Sequence, residues 1–275
     1  MGILKNVWRG FRGGPDFTDT NNFNASFENI QFSASLPHSN FITEEPPRPI
    51  HFPFLKPDWF DEHSEQSRQH IYAHVFTEMW GYVPAVMYLP NGELGVLSLS
   101  IQIKKVPKDK NISAFELDDL GEHLIAEYED HYNSPIIGGS GNYGLGLNTR
   151  IRQNVIEQSE KMHSPFTGDA LQRQINLAMR SQGCAPLKPH EIKTIKGRQW
   201  VFYIENQKPH RHSKDRMYCM PLSDDFYLCM NFRYRVDLQV KFKVWQKHAE
   251  AAEQRIMESV QLTFPKDELA LPSSI

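Results

Sequence analysis

The sequence from Phe226 to Val236, FYLCMNFRYRV, alternates between two kinds of side chain. One alternate set is apolar or aromatic: Phe226, Leu228, Met230, Phe232, Tyr234 and Val236. The other set is mixed and basic: Tyr227, Cys229, Asn231, Arg233 and Arg235. Because successive side chains of a strand point to opposite faces, the pattern predicts a half-buried strand with an apolar inner face and a basic, aromatic outer face.

The surrounding residues, 199–264, predict the unit to which this strand belongs. Runs at 200–204 and 216–222 are predicted strands, and the second joins Phe226 through a three-residue polar turn, as in a hairpin. Residues 244–260 change to helical spacing, with an apolar stripe formed by Trp245, Ala249, Ala252, Ile256 and Val260. Because such a helix buries its stripe on the apolar face of the strands, we predict an α+β fold in which helices cover an antiparallel sheet.

The composition of the 275-residue chain is that of an ordinary globular protein, with 40% hydrophobic and 23% charged residues. A net charge of −3 and the absence of a recognised motif disfavour nucleic-acid binding. Three cysteines are too few for a disulfide scaffold. There is no apolar run of about 18 residues and no apolar signal-peptide core at the start, so the expected location is cytoplasmic.

The first fourteen residues have a pattern of their own. Five apolar side chains fall at helical spacing: Ile3, Leu4, Val7, Trp8 and Phe11. Basic residues fall on another face, which predicts a short amphipathic helix that docks on a membrane surface or a partner. The alternative is a helix packed on the domain, or a frayed end. Residues 15–26 are predicted to be a linker, 27–264 a single α+β domain, and 265–275 a tail.

Further elements follow along the domain. A strand is predicted at 27–36, and a Pro-rich irregular insertion at 37–57. Residues 58–81 fit a helix capped by Asp58, although 70–80 also alternate as a strand. The strands 83–89 and 94–106 form a predicted hairpin about Asn91-Gly92. A capping box at 113–116 opens a predicted helix to 132. After a Gly-rich insertion at 134–147, a strand is predicted at 150–157 and a helix at 169–182.

Two motifs contain residue types found in cofactor or metal sites. Residues 139–144, GSGNYG, match the dinucleotide pattern literally, but a helix precedes them where a strand is required, so we predict a loop and no cofactor. His63, His70 and His74 would share one helix face and could hold zinc. The zinc-protease glutamate is absent from this pattern. The main interpretation is therefore that these histidines lie on a polar flank of the helix, and no metal ligand is assigned. A metal-dependent hydrolase is the alternative function.

Two features of the C-terminal strands suggest contacts. Cys219 and Cys229 are symmetric about Asp224 and are predicted to face each other across the hairpin, close enough for a disulfide, although reduced thiols are expected in a cytosolic protein. The outer face of the sheet is predicted to carry Tyr203, Tyr227, Arg233 and Arg235. Such a face binds a protein partner or an anionic group, or is an ordinary solvated surface.

The order of elements resembles the PsbP-like α/β/α sandwich superfamily. The resemblance rests on a strand ending in Leu-Pro at 27–37, a strand and long helix at 94–132, and three strands with a helix ending in Ile256-Met-Glu-Ser-Val260. That superfamily includes a photosystem extrinsic subunit, a Ran-release factor and chaperones of type VI secretion effectors. The resemblance implies a non-enzymatic accessory, chaperone-like or protein-binding role, with another protein as partner and no catalytic residue.

Overall fold

The computed structural model of the protein describes residues 10–41, 50–67, 70–85, 93–107, 112–135, 146–205, 214–236 and 244–265. Within these ranges the strands are β1 (Phe11–Gly13), β2 (Thr20–Phe27), β3 (Ile30–Pro37), β4 (His51–Phe52), β5 (Ser64–Ser67), β6 (His70–Pro84), β7 (Gly95–Lys105), β8 (Glu191–Ile195), β9 (Arg198–Glu205), β10 (Lys214–Pro221), β11 (Phe226–Val236) and β12 (Gln261–Thr263). The helices are α1 (Trp59–His63), α2 (Leu117–Asn133), α3 (Leu147–Glu160), α4 (Gly168–Gln182) and α5 (Val244–Ser259).

The larger sheet is antiparallel and has β11 near its middle. Its strand order is β1-β6-β7-β11-β10-β9-β8, and β5 pairs with β6. The strands and the helix predicted within 199–264 are all confirmed, as is the α+β fold. The pair Cys219 and Cys229 also stands in register across the hairpin formed by β10 and β11.

A second, four-stranded sheet has the order β12-β3-β2-β4. It packs together with α5 on the apolar face of the larger sheet, and one hydrophobic core joins all three. The predicted linker at 15–26 is therefore wrong, because Thr20–Phe27 is strand β2. Its alternate residues Ala25 and Phe27 are buried, and this burial outweighs the loop preference of Asn21, Asn22 and Asn24 earlier in the strand.

The opposite face of the larger sheet is covered by α2 over β9 and β10, towards the β8 edge. Leu120 and Leu124 of this helix share a separate hydrophobic core with Val201, Tyr203 and Tyr227. The helix begins at Leu117, so the predicted capping box is wrong. The Ser113 hydroxyl instead accepts from the backbone nitrogen of Phe115 at 3.2 Å and donates to Asp224 Oδ1 at 2.7 Å.

The N-terminal prediction is wrong where the structure describes it. Phe11 belongs to β1, pairs with Pro84, and packs on the rings of Tyr82 and His248 with 3% of its surface exposed. Gly13 and Gly14 have φ of 78° and 80°, which turn the chain away from helical geometry. Ile3, Leu4, Val7 and Trp8 lie outside the described residues.

Two other predicted elements are replaced. The helix expected over 58–81 ends at His63, and β5 and β6 follow, because Ala73, Phe76 and Trp80 are buried in the sheet core. The strand alternative for 70–80 is therefore the correct one. The strand expected at 150–157 is part of α3, whose residues Leu147, Ile151 and Val155 recur at helical spacing. The helix predicted at 169–182 is confirmed as α4, whereas residues 139–144 and Asn91-Gly92 lie outside the described residues.

Candidate functional site

A partly exposed polar surface lies on the α2 side of the larger sheet, beyond the part that α2 covers. It is formed by residues of β6, β7 and β11 that stand side by side in register. One row is Thr77, Ser100 and Asn231, and the next is Met79, Ser98 and Arg233. We use the name polar patch for seven residues of this surface: Thr77, Ser98, Ser100, Gln102, Asn231, Arg233 and Arg235.

The polar patch offers hydrogen-bonding groups of several kinds at strand spacing. Its serine, threonine and glutamine side chains are half-buried, so they are partly accessible to solvent. Asn231 Oδ1 is buried and accepts no hydrogen bond from the part of the chain that the structure describes. Since a buried acceptor without a donor is costly, this oxygen is a favourable place for a donor from a bound molecule or from water.

Arg233 is fixed at the edge of the polar patch by a carboxylate that lies beneath it. Its Nε donates to Asp215 Oδ1 at 2.8 Å, and its Nη2 donates to Oδ2 at 3.1 Å. The Asp215 side chain is only 2% exposed, whereas that of Arg233 is 44% exposed. Burial acts to lower the pKa of Arg233, but the hydrogen bond and charge of Asp215 outweigh it and raise that pKa. The guanidinium therefore stays charged and is held in one orientation.

Arg235 extends the polar patch towards solvent. Its Nη2 donates to Glu93 Oε2 at 2.9 Å, and both side chains are about half exposed. An exposed pair of this kind contributes about 0–1 kcal/mol. Arg235 is therefore able to exchange Glu93 for a carboxylate of a partner at little cost.

A cluster of titratable groups lies under α2, next to the polar patch. Lys104 of β7 is 2% exposed and neighbours Glu127, Glu205, Cys219 and Cys229. Burial alone would lower the pKa of Lys104, but the neighbouring thiols and carboxylates raise it above its ordinary value. Perturbed groups of this kind often mark functional sites, and they also occur as internal ion networks. Here Lys104, Glu205 and both thiols are buried, and Glu127 is half-buried, so we interpret the cluster as an internal ion network.

The two facing thiols belong to this cluster. Both thiols are free and fully buried. A hydrogen bond from Cys219 lowers the pKa of Cys229, whereas burial raises the pKa of Cys219. Because α2 packs over this part of the sheet, both thiols are closed to solvent.

Two of the four residues predicted for the interaction surface are not on it. Tyr203 and Tyr227 are 2% and 3% exposed, because α2 packs over them. Arg233 and Arg235 do lie at the surface and belong to the polar patch. Sequence reasoning missed the patch serines and Gln102 as site residues, although their alternation with Leu97, Leu99 and Ile101 already placed them on one face.

The predicted histidine face does not form. His63 lies on α1, with its ring stacked at 4.7 Å on Trp59 and its Nδ1 bonded to the Trp59 carbonyl oxygen at 2.9 Å. His70 and His74 lie on β6 instead. Across the described ranges, no group of three or more His, Cys, Asp or Glu residues has the arrangement of a metal site. The hydrolase alternative therefore loses its geometric basis.

Comparisons with known proteins add little. None of the described helices is long and apolar enough to span a membrane. No protein-family model matches the chain, and no curated protein matches it. One solved structure that resembles it is LpqN, "involved in cell envelope biogenesis of Mycobacterium tuberculosis", with 7% identity and a TM-score of 0.28 over 94% of this chain and 95% of that chain. At this identity and TM-score the likeness carries no inference about function.

Proposed function

We propose that this chain is a non-enzymatic accessory protein with a PsbP-like sandwich fold, which binds another protein through the polar patch. The observation that carries the proposal is the part of the sheet face that stays partly exposed among the described residues. There, short polar side chains of three adjacent strands stand in register beside two arginines. Over β9 and β10, this face is closed by α2.

The chemistry of the polar patch indicates the kind of partner. Arg233 and Arg235 offer charged donors to carboxylates, and the guanidinium of Arg233 is already oriented by Asp215. Ser98, Ser100 and the Asn231 amide offer small groups that pair with the backbone of a bound segment. Arginine and adaptable polar groups of this kind occur at protein interfaces. The patch therefore suits a protein surface that presents carboxylates among backbone amides.

Site-specific photocrosslinking in cells of the native organism tests this proposal. A benzophenone amino acid is placed at Ser100, at the centre of the polar patch, and separately at the exposed Gln158 of α3 as the matched control. The proposal predicts a discrete crosslinked protein from position 100 that is absent from position 158. Introducing Arg235→Glu should weaken that crosslink, because the charge offered to the partner is reversed. If both positions give the same products, or if Arg235→Glu changes nothing, the patch is not the binding surface.

A further inference from the structure

A cavity of about 260 Å³ lies between the two sheets, at the tip of the hairpin formed by β8 and β9. One wall comes from that hairpin, and the other comes from β12 and the residue before it. The eight lining residues are Ile195, Lys196, Arg198, Trp200, Val260, Gln261, Leu262 and Thr263. Trp200 belongs to the core that the larger sheet shares with α5, so the cavity and the polar patch are on opposite faces of that sheet.

The turn that ends this hairpin places a cation at the cavity. Ile195 pairs with Arg198, so Lys196 and Gly197 are the two turn residues between β8 and β9. Their φ angles are 51° and 75°, as in the type I′ turn that tight hairpins prefer. Asparagine, aspartate or glycine usually occupies the first position of such a turn, because other side chains strain the backbone there. The chain accepts this strain at Lys196, a residue that lines the cavity.

A second cation, Arg198, reaches from the hairpin towards the end of β12. Its guanidinium carbon lies 4.5 Å from the centre of the Phe264 ring, and this cation–π contact holds the charge beside the cavity. Arg198 is half-buried, so water screens its charge only in part. Within the described ranges, neither Lys196 nor Arg198 forms an ion pair with a carboxylate. Both cations are therefore available to an anion in the cavity.

An apolar wall accompanies the two cations. Four of the eight lining residues belong to the hydrophobic core or pack on it: Ile195, Trp200, Val260 and Leu262. Trp200 and Val260 are buried, at 1% and 4% exposure, so they form the inner part of the wall. None of the eight lining residues is acidic. The cavity therefore combines an apolar surface with positive charge that no lining carboxylate offsets.

We propose that this cavity binds a small carboxylate with an apolar body, of the aromatic or branched-chain kind. The carboxylate pairs with Arg198 and Lys196, since charge-assisted hydrogen bonds from a guanidinium to a carboxylate are strong and directional. The apolar body lies against Trp200. A doubly charged phosphoryl group suits the cavity less, because the apolar wall makes the removal of each further charge from water costly. This site does not depend on the protein-binding role proposed for the polar patch.

The volume of the cavity limits the size of the ligand. An apolar protein cavity of about 150 Å³ holds benzene. By proportion, a cavity of about 260 Å³ holds a molecule of about ten non-hydrogen atoms. Drug-sized ligands generally occupy larger pockets. Because a ligand this small makes few contacts, we expect a Kd of about 0.1–1 mM.

Titration of the full chain with phenylacetate, followed by NMR, tests the proposal. Isotope-labelled tryptophan gives one indole N–H signal for each of the five tryptophans, and Trp200→Phe identifies the signal of Trp200 by its loss. Phenylacetate should shift that signal and saturate near 1 mM. Phenylacetamide, a neutral molecule of the same shape, should bind at least about tenfold more weakly. No shift up to about 10 mM phenylacetate, or equal shifts with the two compounds, would overturn the proposal.

Removing the cations one at a time tests their role in the same titration. Lys196→Asn removes one charge and suits the left-handed backbone of the turn, so the fold is retained. It should weaken phenylacetate binding by about three- to tenfold, and Arg198→Gln should weaken it by about tenfold. Lys161→Gln, which removes an exposed cation outside the cavity, should leave the affinity unchanged. Wild-type affinity in both cavity variants, or an equal loss in Lys161→Gln, would show that these cations do not bind the carboxylate.

Discussion

Glu253 of α5 accepts a hydrogen bond at 2.8 Å from Nε of Arg216 on β10. The same carboxylate also accepts from the hydroxyl groups of Tyr218, at 2.5 Å, and Tyr234. Its side chain is 2% exposed. A buried charge of this kind is tolerated only when it is fully paired, so these three donors fix the helix on the sheet at one position.

Replacing that carboxylate should be costly. Glu253→Gln leaves the Arg216 charge without its partner and turns an amide towards three donors, so we expect a loss of about 3–5 kcal/mol in the free energy of unfolding. Urea denaturation followed by circular dichroism measures it. The control is Glu250→Gln on the same helix, where the pair with Lys214 is partly exposed and its loss should cost about 1 kcal/mol or less. Equal losses in the two variants would contradict the role given to Glu253.

Alkaline pH should destabilise the protein through tyrosines under α2. Burial, and then the charge of Glu127, raises the pKa of Tyr227, and burial likewise raises that of Tyr203. In the unfolded chain tyrosine loses its proton near pH 10. The folded state then binds more protons than the unfolded state, so stability is complete below about pH 10 and falls above it by about 1.4 kcal/mol per pH unit for each such tyrosine.

Tyr227→Phe tests this pH dependence, because it removes one of the shifted groups. The slope of unfolding free energy against pH, measured between about pH 10 and 11.5, should become shallower by roughly 1.4 kcal/mol per unit. Absorbance at 295 nm follows tyrosine ionisation in the same samples. An unchanged slope would mean that Tyr227 is open to solvent, as the sequence alone suggested.

How far the sequence predicts this fold is shown by β11. Its alternation correctly identifies the strand and the face that α5 covers, because both depend on neighbours close in sequence. The same alternation does not tell whether Tyr227 meets water or a helix, since tyrosine and cysteine suit both environments. That outcome depends on α2, which begins more than a hundred residues earlier. The helix predicted at 58–81 is wrong for a similar reason, because the pairing of β6 with β7 decides between helix and strand there.

The polar patch, too, could be predicted only where it depends on the pattern within one strand. Arg233 and Arg235 were predicted to be exposed because the strand pattern placed them outward. The contact of Arg233 with Asp215 was not predicted, because it depends on the register between β10 and β11. The patch residues of β7 become a surface only when β6 and β11 stand beside them. Their grouping into one surface could therefore not be predicted from the local sequence pattern.

The three thiols should be unreactive in the native protein. Cys184, Cys219 and Cys229 are 3%, 0% and 0% exposed, so a thiol reagent has to wait for an opening of the structure. With Ellman's reagent we expect slow release of colour from native protein. Unfolding in guanidinium without reductant should then release three equivalents at once, as the chain has three free cysteines. One equivalent would instead indicate a disulfide between Cys219 and Cys229.

Gly95 should tolerate no larger side chain, because α5 crosses β7 closely there. A Cβ at this position would lie 2.3 Å from the Arg235 carbonyl oxygen and 2.6 Å from the Trp245 ring. Gly95→Ala therefore forces the strand or the helix to shift, and overpacking of this kind costs about 1–3 kcal/mol. Thermal and urea denaturation measure the loss. Ser98→Ala, on the same strand but at a half-exposed position, should change stability by less than about 0.5 kcal/mol. Because the shift displaces the backbone of Arg235, Gly95→Ala should also reduce the crosslink formed from position 100, and an unaffected crosslink would show that Arg235 acts independently of this packing.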